Sequence, residues 1–210
     1  MTVKRWVTVS KIPVFLLCLW PLGWVVTAAY QNTLGPDPAK AIVLFMGIWA
    51  LRFLCITLAV TPLKRILKFS QLLRFRRMLG LYALFYAVLH VAAYFFFLLN
   101  LDVAELYQDL FKRPYILVGA MALILLIALG VTSPRAVMKR MGKNWQKLHR
   151  MIYVSVLLVL LHYLWLSKSG YGEPLLYVLI VVALLGYRLI PHINPLVRAF
   201  VSGRAVDKDG

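Results

Sequence analysis

Six apolar runs, each near the length a helix needs to cross a bilayer, dominate this 210-residue chain. They cover about 12–31, 41–61, 78–99, 115–133, 149–167 and 174–191. A hydrocarbon layer about 30 Å thick takes roughly 20 helical residues. A segment in contact with lipid must also satisfy its own backbone, which excludes open strands. Turn and stop signals separate the runs: LGPDP at 34–38, TP at 61–62, KRP at 112–114, TSP at 132–134 and SGYGEP at 169–174. Composition agrees, with 62% hydrophobic and 15% charged residues, where soluble domains have about half and about a quarter. No internal repeat is evident. The expected fold is all-α: one transmembrane domain over 1–210, a six-transmembrane-helix bundle with a short tail at 192–210. The first run follows Lys4, Arg5 and Lys11 and ends in TAA at 27–29, like a signal peptide. Its length, with Trp20, Pro21 and Trp24, favours a retained span.

The formal net charge of +17 would suggest nucleic acid in a soluble protein. Sorted by loop, it reads as topology instead. Of the 24 Lys and Arg, 19 fall in the N-terminal segment, the 2–3 loop (Lys64 to Arg77), the 4–5 loop (Arg135 to Arg150) and the C-terminal part. The other loops hold five of the seven acids: Asp37, Asp102, Glu105, Asp109 and Glu173. Basic loops stay in the cytoplasm, so both termini are expected there. Cys18 and Cys55 lie in apolar runs and form no CxxC pair, and no Gly-rich nucleotide motif occurs. No carboxylate pair or Ser-His-Asp set supports hydrolase chemistry.

Ionisable residues inside spans default to functional candidates. His90 lies 13 residues past Arg77 and His162 lies 12 past Arg150, in two helices running the same way. At 1.5 Å per residue both stand about 18–20 Å above the basic border. Two imidazoles at one depth suit the axial positions of one haem. They equally suit two unrelated histidines satisfied by helix–helix hydrogen bonds, and spacing leaves both readings open. His149, 13 residues before His162, raises a second haem. Thirteen residues turn a straight helix by about 220°, however, and Arg76 and Arg77 stand where its partner on the third helix would be. His192 reads as a surface residue. Arg52, mid-span, needs an anionic partner such as a haem propionate or a flavin phosphate, or a water-filled cavity, unless its head snorkels to the border. The 62–77 stretch resembles a basic interfacial helix. Trp6, Trp145 and Trp165 fit an interfacial belt and carry no assigned chemistry.

The segments LGPDPAK (34–40), GIWALRFL (47–54), RRMLGLYALFYAVLH (76–90), KRPYILVG (112–119), TSP (132–134) and GKNWQKLHRMIYVSVLLVLLHYLW (142–165) resemble the MsrQ (YedZ) family, within the ferric-reductase-like transmembrane group. The resemblance covers nearly the whole chain. It implies a bacterial inner-membrane protein that binds haem b, through iron ligands at His90 and His162, and also FMN. It implies delivery of electrons to MsrP, a periplasmic molybdopterin enzyme that reduces methionine sulfoxide in proteins, from the quinone pool or a cytoplasmic flavin reductase. His149, Arg77, Arg76 and Arg52 are candidates for a second cofactor or for haem contacts. Related oxidases carry two histidines on each ligating helix. The third helix here carries one, which favours one haem over two. The 192–210 tail is too short for a nucleotide-binding domain, so another molecule is expected to supply electrons, and no complete catalytic site is expected on this chain. The outer acids Asp102, Glu105 and Asp109 are candidates for docking the partner. The competing readings are a stand-alone b-type cytochrome acting as a ferric reductase, and a transporter or scaffold with no redox centre.

Overall fold

The computed structural model describes residues 3–167, 170 and 172–188, without the side chains of 3–9. His192, the 192–210 tail and the end of the sixth apolar run lie outside the described residues. Helix α1 covers Val3–Tyr30, α2 Pro38–Ile66 and α3 Arg76–Ala93, which continues as a π-helical turn, Tyr94–Leu98. The short α4 (Val103–Lys112) leads into α5 (Pro114–Val131). Two seven-residue helices, α6 (Arg135–Met141) and α7 (Lys143–His149), precede α8 (Ile152–Leu166). A further helix, α9, covers 172–188, and no strand occurs among the described residues. Five helical stretches among them are long and apolar enough to cross a membrane: Ser10–Tyr30, Pro38–Ile66, Arg76–Leu98, Pro114–Val131 and Lys143–Leu166.

The helix ends follow local chemistry. Asp37 caps α2 by accepting from Lys40 N at 3.0 Å, with Pro38 in the first turn. Asp102 caps α4 through Ala104 N and Glu105 N. The 62–77 stretch is not one interfacial helix. It comprises the last turn of α2, a 3-10 turn at Ser70–Arg74 and the start of α3, because Lys68 adopts a left-handed φ of 52° that ends α2. The fifth apolar run is likewise not helical throughout from 149: α7 closes at His149, and α8 begins at Ile152 after a turn at 150–151. Arg150 and Met151 keep right-handed helical dihedrals, so the turn tightens the stretch between His149 and His162 without breaking it.

The core consists of two antiparallel hairpins. In α2–α3, Val43 faces His90 while Thr57 faces Gly80. In α5–α8, Tyr115 faces His162 while Ala122 faces Ser155. Ala83 and Ser155, both 0% exposed, let the paired backbones approach closely. The hairpins are equivalent: Val43, Gly47, Ala50, Leu54, Pro62, Ala83 and His90 recur, 72 residues later, as Tyr115, Gly119, Ala122, Leu126, Pro134, Ser155 and His162. The chain thus contains an internal repeat, although few residues are identical. What recurs is small residues on one face and one histidine per half.

Helix α1 leans on the first hairpin through two tyrosines one turn apart. Tyr82 donates to Phe15 O at 2.9 Å. The fully buried Tyr86 donates to Cys18 O at 2.8 Å and accepts from Leu22 N at 3.2 Å. Pro21 lies in this turn, and its missing N–H weakens the local ladder. Tyr86→Phe is expected to cost about 1–2 kcal/mol, the value of a buried hydrogen bond with an orphaned partner. A lower melting temperature of the purified protein is expected, while Tyr107→Phe, at an exposed position, leaves it unchanged. Equal melting of both variants would refute the anchoring role.

Candidate cofactor site between the two hairpins

Each hairpin presents its histidine in the same way. His90 Nδ1 donates to Val43 O at 2.8 Å, and His162 Nδ1 donates to Tyr115 O at 2.6 Å. A carbonyl only accepts, so each Nδ1 carries the proton and each Nε2 keeps its lone pair. This is the arrangement of metal-ligating imidazoles, whose second nitrogen is held by an outer partner. The ring centroids are 6.3 Å apart, with ring planes at 77°. Two metal–imidazole bonds of about 2 Å, plus about 1 Å from nitrogen to centroid on each side, span about 6 Å. Among the described residues no cluster of three or more His, Cys, Asp or Glu could hold a bare ion. Two imidazoles fit instead a metal that brings in-plane ligands of its own, as a porphyrin does.

The glycines Gly47 and Gly119 pass directly beside these rings. The sequence reading missed them. The signal was present as a glycine 43 residues before each histidine, but it stands out only once the hairpins are superposed in register.

Arg52 lies on α2 and meets no carboxylate among the described residues. Its Nε donates to Tyr177 OH on α9 at 2.9 Å, and its guanidinium stands 4.8 Å from the centre of the Trp49 ring. Tyr163, next to His162, packs edge-on to Tyr177 and donates to Glu173 at 3.4 Å. Trp49 Nε1 is buried without a hydrogen-bond partner.

His149 is not brought to the His90–His162 pair. It closes α7, where Gly142, at φ 53° and ψ −125°, turns the chain from α6, a conformation favoured by glycine. His149 Nε2 bonds Thr132 Oγ1 at 3.1 Å. Trp145, read as an interfacial residue, stacks on His149 with centroids 4.0 Å apart and donates to Thr132 O at 3.0 Å. Arg77, the repeat counterpart of His149, is exposed and donates to Ser133 Oγ at 2.9 Å. Half-buried Arg76 lies within electrostatic range of His149 and Arg188. Arg188 is anchored by Tyr153 OH, Leu58 O and Thr61 Oγ1. The structure therefore joins His149, Arg76 and Arg77 around the TSP turn and leaves Arg52 with the histidine pair's half of the bundle.

The outer acids need one correction. Asp109 is 5% exposed, accepts from Tyr94 OH and pairs with Arg113 at 3.1 Å. It holds α4 against the end of α3 and is not free to dock a partner; Asp102 and Glu105 are exposed.

Comparison with known proteins agrees with this architecture. Residues 46–160, which contain His90 and end two residues before His162, match the family described as ferric reductase like transmembrane component. A protein of Polaromonas naphthalenivorans (strain CJ2), named protein-methionine-sulfoxide reductase heme-binding subunit MsrQ, is 47% identical over 186 residues, covering 87% of this chain and 85% of its own. A protein of the same name from Xanthomonas oryzae pv. oryzae is 45% identical over 192 residues, covering 87% and 86%. Another, from Herminiimonas arsenicoxydans, is 42% identical over 185 residues, covering 87% and 85%. No solved structure matches. Identity at this level over most of both chains, together with several membrane-crossing helices, shows that the chain belongs to the MsrQ family of multi-pass membrane proteins, within the ferric reductase like transmembrane group.

Proposed function

We propose that the chain is a haem b electron-transfer subunit that delivers electrons to MsrP, the periplasmic molybdopterin enzyme repairing oxidised methionine in proteins. The observation that carries this reading is the pair of imidazoles with protonated, carbonyl-bound Nδ1 atoms and centroids 6.3 Å apart. His90 and His162 would hold the iron, and a haem bound there would supply a one-electron carrier. The chain's own work is to fix the tautomer, orient the rings and exclude water. One haem fits best, because Arg77 replaces the histidine that a second pair would need, and Thr132 and Trp145 already engage His149. Arg52 is placed to meet a propionate, with Tyr177 and Trp49 fixing its head.

FMN is assigned to the other cluster. Arg76, Arg77 and His149 gather three cationic or protonatable groups, and the one ion pair among the described residues, Arg113–Asp109, lies elsewhere. A flavin phosphate would neutralise them. Electrons come from the quinone pool or a cytoplasmic flavin reductase. An apolar groove of about 570 Å³ between α1, α2 and α3, lined by Leu22, Val25, Met46, Leu89, Ala93 and Phe96, has the chemistry of a quinone's isoprenoid tail. The topology is a single domain of six spans in the bacterial inner membrane, with α9 in the sixth and both termini cytoplasmic. The excess of Lys and Arg near the basic ends supports that orientation.

Absorption spectra of the purified protein test the haem assignment. The wild type is expected to show a low-spin b-type spectrum that sharpens on dithionite reduction. His90→Ala and His162→Ala should each abolish it; a colourless wild type would overturn the proposal, and so would a spectrum that survives both substitutions. His149→Ala separates the second site. It is expected to leave haem content unchanged and to lower the flavin released on denaturation by several-fold. Haem content cut to half in this variant would show that His149 holds a second haem.

A further inference from the structure

We infer that Gly47 and Gly119 are positioning residues that set the orientation and basicity of the two iron-ligating imidazoles; this rests on the haem reading above. A Cβ at Gly47 would stand 3.0 Å from His90 Nδ1 and 3.1 Å from its Cε1. At Gly119 the corresponding distances to His162 are 2.9 and 3.0 Å. The 2.9 Å approach at Gly119 is shorter than real Cβ contacts, and those at 3.0–3.1 Å are tighter than nine in ten of them, so each ring would have to give by a few tenths of an ångström or more. The atoms in the way belong to a rigid ring, and to the edge of it that carries the Nδ1 proton.

That edge is already committed. Nδ1 donates to the carbonyl four residues before the glycine, Val43 O in one hairpin and Tyr115 O in the other. A single helical turn thus offers an acceptor and, beside it, the space that the Nδ1–Cε1 edge of the imidazole occupies. An alanine methyl would fill that space, push the ring away from its carbonyl and turn the Nε2 lone pair. The Nδ1–H···O bond makes the imidazole a stronger donor to metal, so losing it weakens iron binding and favours the reduced state.

Other glycines of the bundle do not share this environment. A Cβ at Gly23 meets nothing within 4 Å, and at Gly80 it meets only Thr57 Cγ2, at an ordinary 3.7 Å. At Gly130 it meets Leu84 Cδ2, the far end of a flexible side chain. The two glycines that face imidazoles are the two related by the 72-residue repeat. Their equivalence is a second, independent sign that the feature belongs to the ligand pair and not to helix packing in general.

The test compares full-length Gly47→Ala, Gly119→Ala and Gly80→Ala with wild type, His90→Ala and His162→Ala. Each protein is purified haem-free from haem-starved cells, checked for helical content and melting, and titrated with hemin. Loaded proteins are then examined by low-temperature electron paramagnetic resonance and by redox titration. Gly47→Ala and Gly119→Ala are expected to bind hemin about 10–100-fold more weakly, as when an outer partner of a metal ligand is lost. Their low-spin ferric g values should shift and their midpoint potentials rise. Gly80→Ala should match wild type in all three. Wild-type affinity, g values and potential in both glycine variants would overturn the positioning role while leaving the haem reading intact. Wild-type binding by the histidine variants would overturn the haem reading itself. Collapse of the haem-free bundle in both glycine variants, with Gly80→Ala folded, would also overturn the inference, because the glycines would then serve packing alone.

Discussion

Hydrocarbon offers no water to a polar side chain, so an imidazole set among apolar helices must find its hydrogen bond inside the protein. His90 and His162 both find it in a backbone carbonyl of the helix packed against them, at 2.8 and 2.6 Å. A carbonyl in a helix is normally committed to the N–H four residues on, but it has a second lone pair to share. The two bonds do several things at once. They link α2 to α3 and α5 to α8 at one end of each hairpin. They decide which ring nitrogen is protonated, and so which is free. They also hold the two rings with their centroids 6.3 Å apart. Moving either hairpin's register by a single residue would rotate its histidine by about 100° and dissolve the site.

The repeat explains where the halves agree and where they have diverged. They agree at the small residues, at the histidine and at a proline, which lies in the last turns of α2 as Pro62 and just beyond α5 as Pro134. They differ at Arg52, whose counterpart is Ile124, and at Arg77, whose counterpart is His149. A shared frame thus makes one symmetric histidine pair, while unshared residues add a cation near the middle of the bundle and a distinct cluster beside the TSP turn. Arg77 and His149 both end on that turn, at Ser133 and Thr132. Equivalent positions of the two halves have been drawn to one place and given different chemistry.

Charge is sorted along the bundle in the same sense. Near the basic ends, Arg77 bonds to Ser133 Oγ, and Arg188 to Tyr153, Leu58 and Thr61. Neutral partners leave their net charge in place. At the other end, the acid that does meet an arginine is Asp109, buried and used to fasten α4. The field across the protein therefore comes mainly from unneutralised cations on one side, the same feature that orients a membrane protein.

Much of this was legible in the sequence, because lipid imposes rules that act residue by residue. Span length, stop signals and the bias of Lys and Arg among loops all follow from hydrocarbon thickness and the cost of moving charge. The common depth of His90 and His162 follows from a fixed rise per residue. Other features are relations between distant segments and leave no local mark. The gaps at Gly47 and Gly119, the carbonyls of Val43 and Tyr115, the phenol on Arg52, the indole on His149 and the burial of Asp109 all depend on which helix lies against which. Even the repeat was hidden, since a bilayer accepts almost any apolar residue on the lipid-facing side and the equivalent positions drifted. By itself the sequence determined that this chain crosses a membrane, which loops are basic and that two histidines share a level. Only the tertiary structure decided that their rings come within 6.3 Å of each other with Nδ1 protonated, because a tautomer is set by the neighbour a ring meets.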